Sequence, residues 1–235
     1  MSRSETFSYR AGGADCHGYL SVPEGDASCP GVLVAPAFGG LGPLERGTCD
    51  RLAALGYVAL GVDYYSGGRH TTDRAEAAQW MAALQDDRPL LADRMTGALA
   101  ALAGLDRAAG QKLGAMGYCF GGKAVLDLAR SGAVFAAGVT LHGVYDAPPS
   151  GSMAMKAALL ICDGWDDSLC PPAVKVALAA ELSEHCPDWQ MLSFGHTGHA
   201  FTNPKAAPNK GFGYSEAAEA RSWRALTGFF EEMLA

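Results

Sequence analysis

After its first thirty residues the chain alternates two patterns. Short strand-like runs at 31–35, 57–62, 112–116, 136–141, 157–161 and 190–194 are separated by longer stretches rich in alanine and leucine at helical spacing. The first two runs are apolar at nearly every position, which predicts strands buried on both faces of a parallel sheet. Helices are predicted over 46–55, 72–85, 89–105, 120–131, 171–185 and 215–233. Gly56 closes the first, Pro89 and Pro171 fall in first turns where proline is tolerated, and Ser215 is placed as an N-cap. Before this alternation, 7–9 and 17–22 flank Ala11-Gly12-Gly13-Ala14-Asp15, which is hairpin chemistry.

Strands alternating with helices predict an α/β protein with a mostly parallel central sheet, helices on both faces and an N-terminal antiparallel hairpin. One domain over 1–235 accounts for every element, and no insertion is long enough for a separate lid domain. Sheets of this kind carry their ligand sites beyond the C-terminal ends of the strands. The composition, 49% hydrophobic and 18% charged, fits a well-buried core. A net charge of −7 without a Lys/Arg run argues against nucleic acid or an anionic membrane as partner. The N-terminus lacks an apolar stretch of signal-peptide length and no segment approaches a membrane span, so a cytoplasmic location is expected. Without a coiled-coil seam, the expected state is a monomer or weak homodimer.

The chemistry centres on Gly117-Tyr118-Cys119-Phe120-Gly121-Gly122, between a strand-like and a helix-like run. In a nucleophile elbow, glycines two before and two after the nucleophile permit a strained turn with strand and helix in close contact. Here the nucleophile is a thiol. The elbow sets its sulfur at a helix N-terminus, where N–H groups and the helix dipole favour a thiolate, and makes the Phe120 N–H an oxyanion donor. The other six cysteines, 16, 29, 49, 162, 170 and 186, contain no CxxC and read as reduced packing residues.

An elbow calls for an acid and then a histidine, each in a loop after a strand. Asp163, Asp166 and Asp167 follow one strand; His196 and His199 follow the last. Asp167, four residues before Pro171, is preferred, with Asp166 the alternative. His199 is preferred over His196 because it lies at the far side of a glycine-containing turn. The HxxH pair has no Glu or Cys companion in a zinc pattern, so no metal is expected. His142, at a strand end, reads as a hydrogen-bonded structural residue or a pocket wall. Gly117 to Lys123 lacks phosphate-loop spacing, and no cofactor is implied.

These residues resemble the dienelactone hydrolase family of α/β hydrolases. The likeness rests on Phe38-Gly39, the elbow around Cys119, Asp167 with Pro171, His199-Ala200-Phe201 and the tail from Tyr214. It implies the α/β-hydrolase fold and a Cys119, His199, Asp167 triad that hydrolyses a small ester or lactone without metal or cofactor. It also implies Ala37 N–H as the second oxyanion donor. Where the family's best-known members have a Glu beside the thiol, this chain has Pro36. Their substrate-carboxylate arginines are replaced by Asn203 and by Gly67, with Arg69 two residues on as a possible anion contact. Phe38, Tyr65 and Trp165 complete an expected pocket lining. A different class of function, a non-catalytic ligand-binding or redox-sensing thiol protein on the same fold, is weighed against by the presence of both triad partners.

Overall fold

The computed structural model describes residues 2–235 and groups them into two compact units, 2–116 with Leu234, and Gly117–Met233 with Ala235. In the first unit, β1 (Arg3–Ala11) and β2 (Ala14–Val22) form the hairpin, followed by β3 (Gly31–Ala35), α1 (Pro43–Ala54), β4 (Val58–Gly61), α2 (Arg74–Asp86), α3 (Arg88–Ala103) and the start of β5 (Leu113–Tyr118). Its strands lie in the order β1-β2-β4-β3-β5. β2 runs antiparallel to both β1 and β4, and β3 runs parallel to β4. All five residues of β3 are buried, as its unbroken apolar run requires.

Differences from the sequence reading lie at element ends. The hairpin strands extend to nine residues each because main-chain pairing continues through polar positions such as Arg3↔Val22 and Glu5↔Leu20. α1 starts three residues early, with Pro43 in its first turn and the Glu45 carboxylate accepting from the Gly42 N–H, the reciprocal half of a capping box.

The second unit contains α4 (Phe120–Arg130), β6 (Ala137–Leu141), β7 (Ala158–Gly164), α5 (Pro172–His185), β8 (Trp189–Phe194) and α6 (Glu216–Leu234). Here the end of β5 is followed by β6, β7 and β8, which are mutually parallel with registers Ala137↔Ala158 and Leu159↔Trp189. β7 outruns its expected end at Ile161 by three residues, so Asp163 belongs to the strand and not to the loop after it.

Every residue of α4 is buried, including three that carry charge. Those charges are paired with one another and with two carboxylates outside the helix: Lys123 Nζ lies 2.6 Å from Asp146 and 3.8 Å from Asp127, and the Arg130 guanidinium bonds Asp127 at 3.1 Å and Glu181 at 2.7 Å. Pairing is what permits such burial, since an isolated ion there would cost several kcal/mol. Phe120, Val125, Leu126 and Leu128 of α4, each worth ~1.5–3 kcal/mol when fully buried, press it onto the sheet and fix where its first turn sits.

Candidate active site

β5 ends at Tyr118, and the next residue turns the chain sharply. Cys119 has φ 53° and ψ −114°, a conformation that costs a non-glycine residue free energy, and α4 starts at Phe120. The turn is held from both sides: Cys119 N–H donates to Leu141 O at 3.0 Å, and Cys119 O accepts from Lys123 N–H at 3.2 Å. The spacing of the glycines has a direct cause. A Cβ on Gly117 would lie 2.2 Å from the carbonyl carbon and oxygen of Gly121, so strand and helix could not approach. Cys119 is a free, half-buried thiol at the head of a helix.

Asp167 lies three residues past β7, almost fully buried. Its Oδ1 accepts from the N–H groups of Leu169 (2.8 Å) and Cys170 (3.2 Å), which leaves Oδ2 to bond His199 Nδ1 at 2.8 Å. Asp166 is half exposed and pairs only loosely with the fully exposed His196, at 3.9 Å. Because His196 faces solvent and His199 is buried, the two imidazoles do not converge.

His199 is fixed by its own backbone: its N–H donates to Gly211 O at 2.8 Å and its carbonyl accepts from Gly213 N–H at 2.9 Å. Between those two glycines, Phe212 stacks on the imidazole at 5.6 Å and 28°. A Cβ on Gly198 would meet Gly211 C at 2.3 Å, so this crossing of two loops also depends on a missing side chain. Burial alone would lower the proton affinity of His199. Hydrogen bonding to Asp167 and to Cys119, with the charges of both, outweighs burial and pushes its pKa up to about 10. The sulfur acts on this ring although Nε2 falls short of full hydrogen-bond geometry with it.

The family model for the dienelactone hydrolase family matches residues 16–234. The chain belongs to that family. A solved structure titled as a dienelactone hydrolase-like promiscuous phosphotriesterase from metagenomic libraries is 33% identical, with a TM-score of 0.94 over 100% of this chain and 99% of that one. A probable 2-oxo-3-(5-oxofuran-2-ylidene)propanoate lactonase of Bradyrhizobium is 26% identical over 78% of this chain and 77% of its own length. A human carboxymethylenebutenolidase homolog is 24% identical over 80% and 76%. This dienelactone hydrolase family member is therefore a carboxylic ester hydrolase with the family's mostly parallel α/β-hydrolase fold. Among the described residues, no helix is long and apolar enough to cross a membrane.

The remaining site residues expected from sequence lie as follows. The Ala37 N–H is donated to the buried Glu45 carboxylate at 3.1 Å, and not left open for an oxyanion. Glu45 reaches it from the first turn of α1, so the loop that has Pro36 in place of the family's Glu still receives a carboxylate, from nine residues further on. Burial raises the pKa of that carboxyl above its usual value, partly offset by bonds from Ala37 and Gly42. The Tyr65 hydroxyl donates to Phe38 O at 3.0 Å, a framework role within the same loop. Arg69 bonds the carbonyls of Ser66 and Tyr65 and stacks over Trp80 at 5.1 Å, so its guanidinium is largely occupied by its own loop. Trp165 stands 47% exposed beside Asp166, with Lys175 Nζ 5.2 Å from its ring centre.

Lys175 and Phe212, which sequence reasoning left aside, pack with His142 around the Asp167–His199 pair. Lys175, buried on α5, bonds Gly164 O at 2.6 Å, Trp165 O at 3.2 Å and Asp163 at 3.2 Å, and so pins the start of the acid loop. Asp163 also accepts from Ser193 at 2.7 Å; burial raises the pKa of its carboxyl, and its place in β7 removes it from the candidate acids. His142 is hydrogen-bonded, as expected, through Nε2 to Thr202 at 2.7 Å, and its ring also packs 5.0 Å from that of His199. Burial and the His199 charge keep it neutral. Nothing in the local sequence marks Phe212.

Lys175→Met tests the anchor. Removing one member of a buried pair strands the Asp163 charge and is expected to cost about 3–5 kcal/mol, read as a lower midpoint in urea unfolding, with a larger loss of kcat than of substrate affinity. An unchanged midpoint would mean that the pair is dispensable.

Proposed function

We propose that this hydrolase cleaves a small ester or lactone through Cys119, His199 and Asp167, by way of an acyl-enzyme. The observation that carries this reading is the buried 2.8 Å bond between Asp167 Oδ2 and His199 Nδ1, in loops following β7 and β8, in a protein whose elbow presents a thiol. His199 takes the thiol proton, and the sulfur attacks as a thiolate. It adds to the substrate carbonyl carbon while the carbonyl pair moves onto oxygen, where the Phe120 N–H at the head of α4 is the donor assigned to it. Collapse breaks the ester C–O bond, and the leaving alkoxide takes the His199 proton.

The thioester no longer carries the charge that favoured the imidazolium, so His199 becomes the base that the second half requires. It takes a proton from water as the water oxygen attacks the thioester carbonyl. Collapse then returns the thiolate and releases the carboxylic acid, with the proton back on His199. Asp167 holds the ring in one tautomer throughout.

Turnover of a short-chain aryl ester, with and without iodoacetamide, tests this reading. Activity that alkylation removes supports it, and activity that survives full modification of Cys119 contradicts it. A panel of lactones and aryl esters should include an aryl phosphotriester, because the relative at 33% identity is titled a promiscuous phosphotriesterase.

The shifted histidine gives a second test. Its pKa rises from 6.5 to about 10 on folding, so its contribution to stability is complete below about 6.5 and is lost as pH rises through 10. The melting temperature should therefore fall across this interval by more in the native protein than in His199→Gln. Equal slopes would show that His199 gains no proton affinity on folding.

A further inference from the structure

Within the second unit lies a cavity of about 690 Å³ that contains neither Cys119 nor His199. Its walls are the acid loop and the segment that pins His199, with Trp165, Phe212, Tyr214, Pro171, Lys210 and His196 among the lining residues. Among the described residues, Trp165 and Tyr214 are the two exposed aromatic side chains, and both face this one cavity. Exposed aromatic rings gathered in a concavity of ligand size are a recognition feature, since such surface is otherwise buried.

The polar groups define the ligand further. Asp167 is committed to His199 and to two backbone N–H groups, and Asp166 lies 3.9 Å from His196. The Lys210 ammonium and the Tyr214 hydroxyl have no ion pair or hydrogen bond among the described residues. One cation and one hydroxyl donor beside an exposed indole complement an anionic group attached to a flat ring.

We propose that this cavity binds a small planar aromatic carboxylate, its ring on Trp165 and its carboxylate on Lys210 and Tyr214, as an effector site separate from the thiol. The effector half rests on the hydrolase reading. Phe212 forms part of the wall and stacks on His199, and Gly211, also in the wall, takes the His199 N–H, so an occupied cavity restrains the loop that holds the base.

The test uses 2-naphthoate as probe and calorimetric titration, on the native protein and on protein fully alkylated at Cys119. Saturable one-site binding to both forms is expected. Trp165→Ala should weaken it about tenfold. Lys210→Met should weaken it about fivefold while leaving the neutral 2-naphthalenemethanol unaffected. Both side chains are exposed, and melting temperatures check that the variants fold. Absence of saturable binding at millimolar probe, binding lost on alkylation, or affinity unchanged in both variants would overturn the site. At saturating 2-naphthoate, kcat for the aryl ester should change in the native protein but not in Trp165→Ala. Binding without that change would overturn the effector half alone, and absence of ester turnover without probe would count against the hydrolase reading and leave the binding result standing.

Discussion

Cys119→Ala should lower kcat/KM for an aryl ester by at least ~10³-fold while leaving the melting temperature nearly unchanged. The side chain is small and half-buried, so its loss opens little cavity. All of the expected effect is chemical: without the sulfur there is no thioester, and His199 loses the neighbour that favours its charged form. Cys119→Ser should not restore the rate, because a hydroxyl is far harder to ionise beside an imidazolium than a thiol. His199→Ala should fall to a similar floor, since members of a cooperating group are not additive. Steady-state kinetics on the three variants, with midpoints measured alongside, would check this.

Gly117→Ala is expected to have the largest effect on folding. The added methyl would sit 2.2 Å from two backbone atoms of Gly121, and no rotamer change relieves a clash with main chain. The elbow would have to open, displacing α4 from its buried seat and moving Cys119 out of its turn. A cost of about 3 kcal/mol or more is expected, a drop of roughly 10 °C in melting temperature, with activity lost in parallel. Gly195→Ala is the matched control, because a Cβ there meets nothing within 4 Å. Comparable behaviour of the two variants would mean that the close approach at the elbow is not what the glycine serves.

These expectations separate what the sequence could express from what it could not. The elbow was legible because its constraint is local: the clash that excludes a side chain at Gly117 involves a residue four positions away. β3 was legible for a similar reason, since burial on both faces leaves an unbroken apolar run. The hairpin's full length was not, because its outer positions are polar and paired only through main chain. Asp167 and His199 could be placed in loops after strands, yet the bond between them depends on Leu169 and Cys170 turning the carboxylate.

The support around the site was out of reach. Lys175 looks like any helical lysine until its ammonium is found beneath the acid loop. Phe212 approaches His199 through a crossing of loops thirteen residues apart, and no periodicity records it. Glu45 is the clearest case. A substitution at Pro36 suggested a missing carboxylate, and the fold brings one to the same loop from the first turn of α1.

The central claim is that the thiol itself becomes acylated. The most direct measurement is rapid-quench mass spectrometry of the protein mixed with 4-nitrophenyl acetate. A burst of 4-nitrophenol close to one equivalent, with a single acetyl group mapped by peptide mass to Cys119, is the expected result. Steady turnover with no adduct at Cys119, or with the acetyl group on another side chain, would contradict it.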